Sequence, residues 1–264
     1  MKDEIRKLAR SLGVDDVGVD DVGVAAAADY HSPLSPPLDS IAPGTRSIVV
    51  LAYRELSTCE SPSPQIAMGG RLDVMGFARS CTYRVARLLE ARSGARAMTV
   101  SASYPLEMSA RTKGTVGEVS LRHAAVAAGL GSLGRHNLVI HPEMGSRVVF
   151  TAVLTDLEIP ADGPLSEDLC TGCERCVRTC PGEALAEEGR THVMRCLKVS
   201  QPYGIGGSIR FWARFGAASP EERTAMLRDP AYWRLYQAAF IGFQYFCFRC
   251  MASCPVGRPG ADPA

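Results

Sequence analysis

The run Cys170-x2-Cys173-x2-Cys176-x3-Cys180-Pro181 constrains this chain more than any other feature. Three cysteines at two-residue gaps wrap one loop around an iron–sulfur cubane, and a fourth, followed by proline, reaches a second one. Thiolates suit that task because iron in a sulfide cluster is held by soft anionic sulfur. Zinc also accepts four cysteines, but its sites rarely combine three consecutive two-residue gaps with a Cys-Pro. A second, incomplete copy follows as Cys247-x2-Cys250-x3-Cys254-Pro255, with Gln244 where another cysteine would complete it. Cys196 is the spare cysteine of this region and is expected to supply the missing thiolate. Crossed ligation then gives one 4Fe–4S cluster Cys170, Cys173, Cys176 and Cys254, and a second Cys180, Cys196, Cys247 and Cys250.

Ten cysteines would suit a disulfide scaffold only in a secreted chain. The opening Met1-Lys2-Asp3-Glu4 leads instead into an amphipathic helix pattern (Ile5, Leu8, Ala9, Leu12) without the apolar run of a signal peptide. No stretch of apolar residues is long enough to span a bilayer, so a cytoplasmic protein without a membrane partner is expected. Cys59 and Cys81 stand apart from the metal spacing and read as packing residues. A net charge of +1 provides no general basic footprint, which disfavours nucleic acid as a partner.

Along the first 160 residues, strand-like and helix-like segments alternate. Gly13 should cap the opening helix, and Val14 to Gly23 holds a short direct repeat, too brief for a solenoid. Ser47 to Ala52 reads as a buried strand, Leu72 to Arg92 as a long helix closed by Gly94, and Ala97 to Ala102 as a short strand. Glu118 to Ala128 reads as a helix; Leu138 to Ile140 and Arg147 to Leu154 read as two strands of a hairpin. A turn-rich stretch from Pro160 to Pro164 marks a boundary. The expected architecture is α+β: an α/β domain over 1–160, then a ferredoxin-like double-cluster module over 161–264. An aromatic-rich helical insertion occupies about 201–246. Twelve of the eighteen aromatic residues lie between Tyr203 and Phe248, which suits helix packing better than a lid. Gly204 to Gly207 reads as a turn.

Gly129-Leu-Gly131-Ser-Leu-Gly134 matches a dinucleotide-binding fingerprint literally, but that motif needs a strand before it and a helix after it. Here the order is helix, then hairpin, so the glycines read as tight backbone turns. The longer string from Ala128 to Arg147, with the Leu12-Gly-Val and Val22-Gly-Val24-Ala stretches and the Arg195-Cys196 pair, resembles the epoxyqueuosine reductase family and its reductive dehalogenase relatives.

That resemblance implies a nitroreductase-like N-terminal domain holding cobalamin, with electrons arriving through two 4Fe–4S clusters from a low-potential donor such as ferredoxin or flavodoxin. On the same analogy Gly134, Arg135, His136, Asn137, Ser146 and Arg147 would contact the corrinoid; a hydrogen-bonded structural histidine is the other reading of His136. Two departures stand out. The family's catalytic aspartate falls on Thr115, which is no carboxylic proton donor. The family's tRNA-binding helical-repeat extension has no counterpart before Ala264. Glu118, Tyr104 and His123 are alternative proton donors, each with an equally good surface or core reading. The leading expectation is a cobalamin-dependent reductase acting on a small molecule or a corrinoid. The alternative is a non-catalytic electron carrier that reactivates a partner corrinoid protein.

Overall fold

A computed structural model describes residues 1–12, 19–100, 109, 112 and 116–258. The Gly13 cap, the first half of the direct repeat, Tyr104 and Thr115 lie outside the described residues. The chain runs α1 (Lys2–Ser11), β1 (Asp21–Ala26), α2 (Leu38–Ile41), β2 (Ser47–Arg54), α3 (Pro64–Ser93), β3 (Ala97–Val100), α4 (Leu121–Ala127), β4 (Ser132–Leu133), β5 (Val139–Ile140) and β6 (Val148–Thr155). It continues through α5 (Arg175–Arg178), α6 (Val193–Ser200), α7 (Ile205–Ala217), α8 (Pro220–Arg228), α9 (Pro230–Tyr236) and α10 (Arg249–Ser253).

The main sheet has the order β1-β2-β6-β3 with every pairing antiparallel. Side chains alternate between two cores because successive residues of a strand face opposite ways. Val49, Leu51 and Tyr53 of β2 meet Ile5 and Ala9 of α1 and Val74, Ala78, Cys81, Val85 and Leu89 of α3. Ile48, Val50 and Ala52 face the other way, toward Ala124, Ala125 and Ala127 of α4 and Met144. Burial on both faces explains why the two central strands read as unbroken apolar runs. Cys81 is buried in the first core as a packing residue.

The long helix α3 starts at Pro64, well before the expected Leu72. Ser63 caps it by accepting from the Ile66 amide, Pro64 takes the first helical position, and Gly94 ends it in a left-handed conformation. The expected hairpin of Leu138–Ile140 with Arg147–Leu154 does not form. The Gly134 amide donates to the Leu138 carbonyl, so β5 folds back onto β4. The chain then turns through a His141–Gly145 bridge before entering the main sheet as β6.

Beyond the sheet, α7, α8 and α9 form the insertion. Gly204 is the residue preceding α7, so the Tyr203–Gly207 stretch opens a helix instead of making only a turn. Phe211 stacks on Phe215 and packs against Tyr232, and both Phe211 and Tyr245 are buried. Trp212, Trp233 and Phe240 are largely exposed, so packing explains only part of this aromatic set. Among the described residues no helix is long and apolar enough to cross a membrane.

Candidate metal centre

The glycine string between α4 and β5 presents its backbone and one serine to the cysteine loop. Ser132 Oγ accepts from the Leu169 amide at 2.8 Å and donates to Asp168 Oδ1 at 3.1 Å. Asp168 Oδ1 in turn accepts from the Cys170 amide at 3.0 Å. The Arg135 amide points at Cys170 Sγ, 3.4 Å away, and the Ala184 amide at Cys180 Sγ, 3.3 Å away. Between these anchors Gly172 and Glu174 adopt positive φ angles of 69° and 54°, which curl the loop back before the single turn of α5.

A second attachment comes from the turn that leads into β6. Ser146 Oγ donates to the Met251 carbonyl at 2.9 Å. The Arg147 guanidinium reaches the Ala252, Cys254 and Val256 carbonyls at 3.0, 2.9 and 3.4 Å and pairs with Glu60. The planar fork of arginine meets carbonyls in several directions at once, which lysine's point charge does not do. The turn thereby fixes α10 and the segment carrying Cys254.

These anchors bring cysteines from distant parts of the chain together. Cys170, Cys173, Cys176 and Cys254 line one small cavity, together with Arg135, His136, Ile140 and Pro255. Cys180, Cys196, Cys247 and Cys250 form a second neighbourhood. Burial, followed by the nearness of Cys247, Cys196 and Cys180, pushes the Cys250 thiol up to about 12. Burial likewise raises Cys196, with Cys180 and Cys247 adding to the effect. Cys176 is raised by burial, with Cys170 and Cys173 nearby. In each set a bound positive centre would offset the mutual repulsion of thiolates.

His136 sits in the wall of the first cavity and is 5% exposed. Its Nδ1 accepts from the Leu138 amide at 3.2 Å, leaving Nε2 to carry the ring proton, and Nε2 is buried without a partner among the described residues. Burial pushes the imidazole down to about 4, so the ring is neutral at physiological pH. A buried donor left unpaired costs about 1–3 kcal/mol. Gly134 makes room for this ring, since a Cβ there would lie 2.7 Å from His136 Cε1.

A larger cavity of about 450 Å³ lies beside the second set, bordered by Pro181, Val199 and Cys247. Its other walls combine Cys59 and Gln65, from the stretch running between β2 and the first turn of α3, with Tyr203 just before α7, Arg234 of α9, and Tyr245 and Arg249 near the second cysteine run. Arg234 donates to Tyr203 Oη and lies over its ring. Cys59 is buried, and burial raises its thiol. The sequence pattern missed this cavity and the Arg147–Glu60 clasp, because the residues come from segments far apart in the chain. The one available signal was an arginine directly preceding an apolar strand, a place where a buried cation needs a partner. Of the alternative proton donors within the described residues, Glu118 is exposed, and His123 Nδ1 lies 2.7 Å from Ser120 Oγ with its pKa lowered by burial.

Residues 164–186 match a 4Fe-4S binding domain. The epoxyqueuosine reductase of Bacillus cereus is 37% identical over 81 residues, which is 31% of this chain and 21% of that protein. The chain is related to the epoxyqueuosine reductases. It spans about a fifth of the length of the first curated epoxyqueuosine reductases it matches. A crystal structure of an epoxyqueuosine reductase with a tRNA-Tyr epoxyqueuosine-modified stem loop superposes with a TM-score of 0.55 at 22% identity, over 75% of this chain and 56% of that one. A catabolic reductive dehalogenase in complex with 3-bromo-4-hydroxybenzoic acid superposes with a TM-score of 0.63 at 21% identity, over 97% of this chain and 31% of that one. At these identities the superpositions establish the shared fold, a mixed α/β body with a ferredoxin-like region.

The likeness to the epoxyqueuosine reductases implied a corrinoid at six residues, and the structure gives those residues other partners. Ser146 and Arg147 hold the carbonyls around α10. The Arg135 amide faces Cys170, and its side chain donates to the Glu187 carbonyl at 2.9 Å. His136 faces the four-cysteine cavity, Gly134 gives it space, and the Asn137 carbonyl accepts from Arg122. These contacts seat the cysteine-rich module against the turn before β6 and the glycine string.

Proposed function

We propose that this chain is an iron–sulfur reductase in which two 4Fe–4S clusters carry electrons singly from an external donor to a small acceptor molecule. The observation that carries this reading is the gathering of eight cysteines into two sets of four, each drawing on both halves of the cysteine-rich region. Cys170, Cys173, Cys176 and Cys254 would hold one cluster; Cys180, Cys196, Cys247 and Cys250 would hold the other. Among the described residues no three His, Cys, Asp or Glu side chains converge closely enough to hold a single metal ion. A cubane asks for a different arrangement, since each thiolate binds a separate iron.

In this reading residues 1–160 are a nitroreductase-like α/β domain that carries the module, and 161–264 are the double-cluster unit. The chain's own groups supply three things. Backbone N–H groups of Arg135 and Ala184 donate to ligand sulfur, which tunes the reduction potential. Arg147 and Ser146 fix α10 and the segment that bears Cys254. The cavity beside Cys247 lies against one edge of the second set and offers Arg234 and Arg249 to an anion. A non-catalytic carrier would have no use for such a cavity, which favours the reductase. The segment 193–258 holds nine Lys and Arg against three Asp and Glu, a balance that suits an acidic electron donor such as ferredoxin or flavodoxin. The resemblance adds a cobalamin as the group that would pass electrons on to the acceptor, with Gly134, Arg135, His136, Asn137, Ser146 and Arg147 proposed to contact it; no step here runs through it.

Purification without oxygen, followed by metal analysis and a visible spectrum, tests the reading. The expected result is about eight irons per chain and a broad absorbance that bleaches with dithionite. Zinc in place of iron, with no bleachable absorbance, would overturn it. Titration with cobalamin in the same preparation tests the corrinoid separately, and stoichiometric uptake would support the cobalamin-dependent form of the reductase.

A further inference from the structure

We infer that the Nε2–H of His136 is a hydrogen-bond donor to the sulfur of the cluster held by Cys170, Cys173, Cys176 and Cys254, and that it sets the potential of that cluster. This rests on the iron–sulfur reading above. Three observations converge on it. Nδ1 is engaged by the Leu138 amide, which fixes the proton on Nε2. Nε2 is buried and has no partner among the described residues. The ring lines the same cavity as all four cysteines of the set.

Each part of the surroundings is arranged to keep the ring there. Gly134 lacks the side chain that would collide with Cε1, and Ile140 packs on the same side. The neighbouring Arg135 amide already donates to Cys170 Sγ. The string Gly134-Arg135-His136 thus places a backbone donor and a ring donor side by side at one cluster site. A buried N–H without an acceptor is rare in folded proteins; Thr171 and Glu174 of the lining are exposed, which leaves sulfide or thiolate sulfur as the acceptor for a buried donor here. Donors to sulfur stabilise the more negative, reduced form and raise its potential. His136 is therefore a positioning and tuning residue, distinct from the cysteine ligands.

The test uses the whole protein purified without oxygen and with both clusters present. A redox titration followed by electron paramagnetic resonance should resolve two reduction steps. In His136→Phe, which keeps a flat ring and removes the N–H, one step should move to more negative potential while the other stays. The expected size is about a tenfold loss in the reduction equilibrium, or ~59 mV for a one-electron couple. Wild-type protein labelled with nitrogen-15 at histidine provides a second measurement, should the variant fail to assemble. Pulsed resonance on the reduced cluster should then show coupling to one histidine nitrogen. An unmoved pair of steps in the variant, or an absent nitrogen coupling in the wild type, overturns the inference. Wild-type protein without clusters would instead overturn the underlying iron–sulfur reading.

Discussion

Gly145 and Gly257 meet backbone to backbone, at the point where the turn before β6 touches the chain just beyond Cys254. A Cβ on Gly257 would lie 2.3 Å from the Gly145 nitrogen, and a Cβ on Gly145 would lie 1.8 Å from the Val256 carbonyl oxygen. Both residues have positive φ, 60° and 73°. The sheet domain and the cysteine-rich module are thus joined by a contact with no room for a side chain. Gly145→Ala combines left-handed strain with a backbone collision and should cost about 2–5 kcal/mol. Chemical denaturation would measure the loss, and iron content should fall with it, since the displaced segment carries Cys254.

Arg147 acts at the same junction through a different force. Its guanidinium satisfies three carbonyls near the end of α10 and pairs with Glu60, which Arg258 also contacts at 2.9 Å. Arg147→Lys keeps the charge and loses the fork, leaving some of these carbonyls without a donor. We expect a loss of roughly 2–4 kcal/mol. In a denaturant series the effect should exceed that of Arg258→Lys, because Arg258 is far more exposed.

The cysteine spacing was legible in the sequence because metal ligation demands local geometry, and local geometry leaves a fixed interval between residues. The central strands were legible for a related reason: Ser47 to Ala52 is buried on both faces and shows it as an unbroken apolar run. The start of α3 was not. Proline disrupts a helix interior, so Pro62 and Pro64 hid the start, yet Pro64 sits at the one helical position where proline's missing N–H costs nothing. The false hairpin has a similar origin. Two apolar stretches flank a turn, and only the Gly134–Leu138 hydrogen bond reveals that β5 has already found a partner in β4. The acceptor cavity draws on Gln65 and Arg249, and no local pattern links such positions.

Removing Cys196 separates the two sets. Cys196 lies on α6, away from both cysteine runs, and its neighbours are Cys180 and Cys247. Cys196→Ala should lose one cluster and keep the other, taking iron from about eight to about four per chain. Iron analysis with a resonance spectrum of the remaining cluster would show it. Unchanged iron would mean that the ligand sets are drawn wrongly.

Acid stability should depend on Asp21 and His141. His141 Nδ1 accepts from the Glu143 and Met144 amides, so Nε2 carries the proton and faces Asp21 Oδ2 at 3.1 Å. The hydrogen bond from His141 holds the Asp21 carboxyl below its usual value of 3.8, against an opposing effect of burial. A carboxyl with a lowered folded pKa stabilises the fold above its unfolded pKa. That contribution disappears as the pH falls through the folded value. Asp21 is half exposed, so solvent screening limits the pair to about 1 kcal/mol or less. Asp21→Asn should lower the urea midpoint at pH 6, by an amount that shrinks as the pH falls progressively below 3.8. A gap between the two proteins that persists at the acid end would rule out this titration.

The cavity beside Cys247 makes a prediction about the acceptor itself. Among the described residues Arg249 has no side-chain partner, and Arg234 is engaged by Tyr203 on one side only. The one carboxylate in the wall, Glu60, is already paired with Arg147 and Arg258. The lining therefore has a surplus of positive charge over an apolar floor, which favours a small anion with an apolar body. Replacing both arginines by glutamine removes charge-assisted hydrogen bonds worth about 1.5–3 kcal/mol each. Binding of a simple aromatic carboxylate such as benzoate should weaken at least tenfold in the double variant. Binding should also weaken in the wild type when the carboxylate is replaced by a neutral amide. The clusters should keep their iron, while the one held by Cys247 and Cys250, which flank Arg249, should move to a more negative potential as the nearby positive charge is removed. Equal affinity for the acid and the amide would show that the two guanidinium groups do not select the ligand.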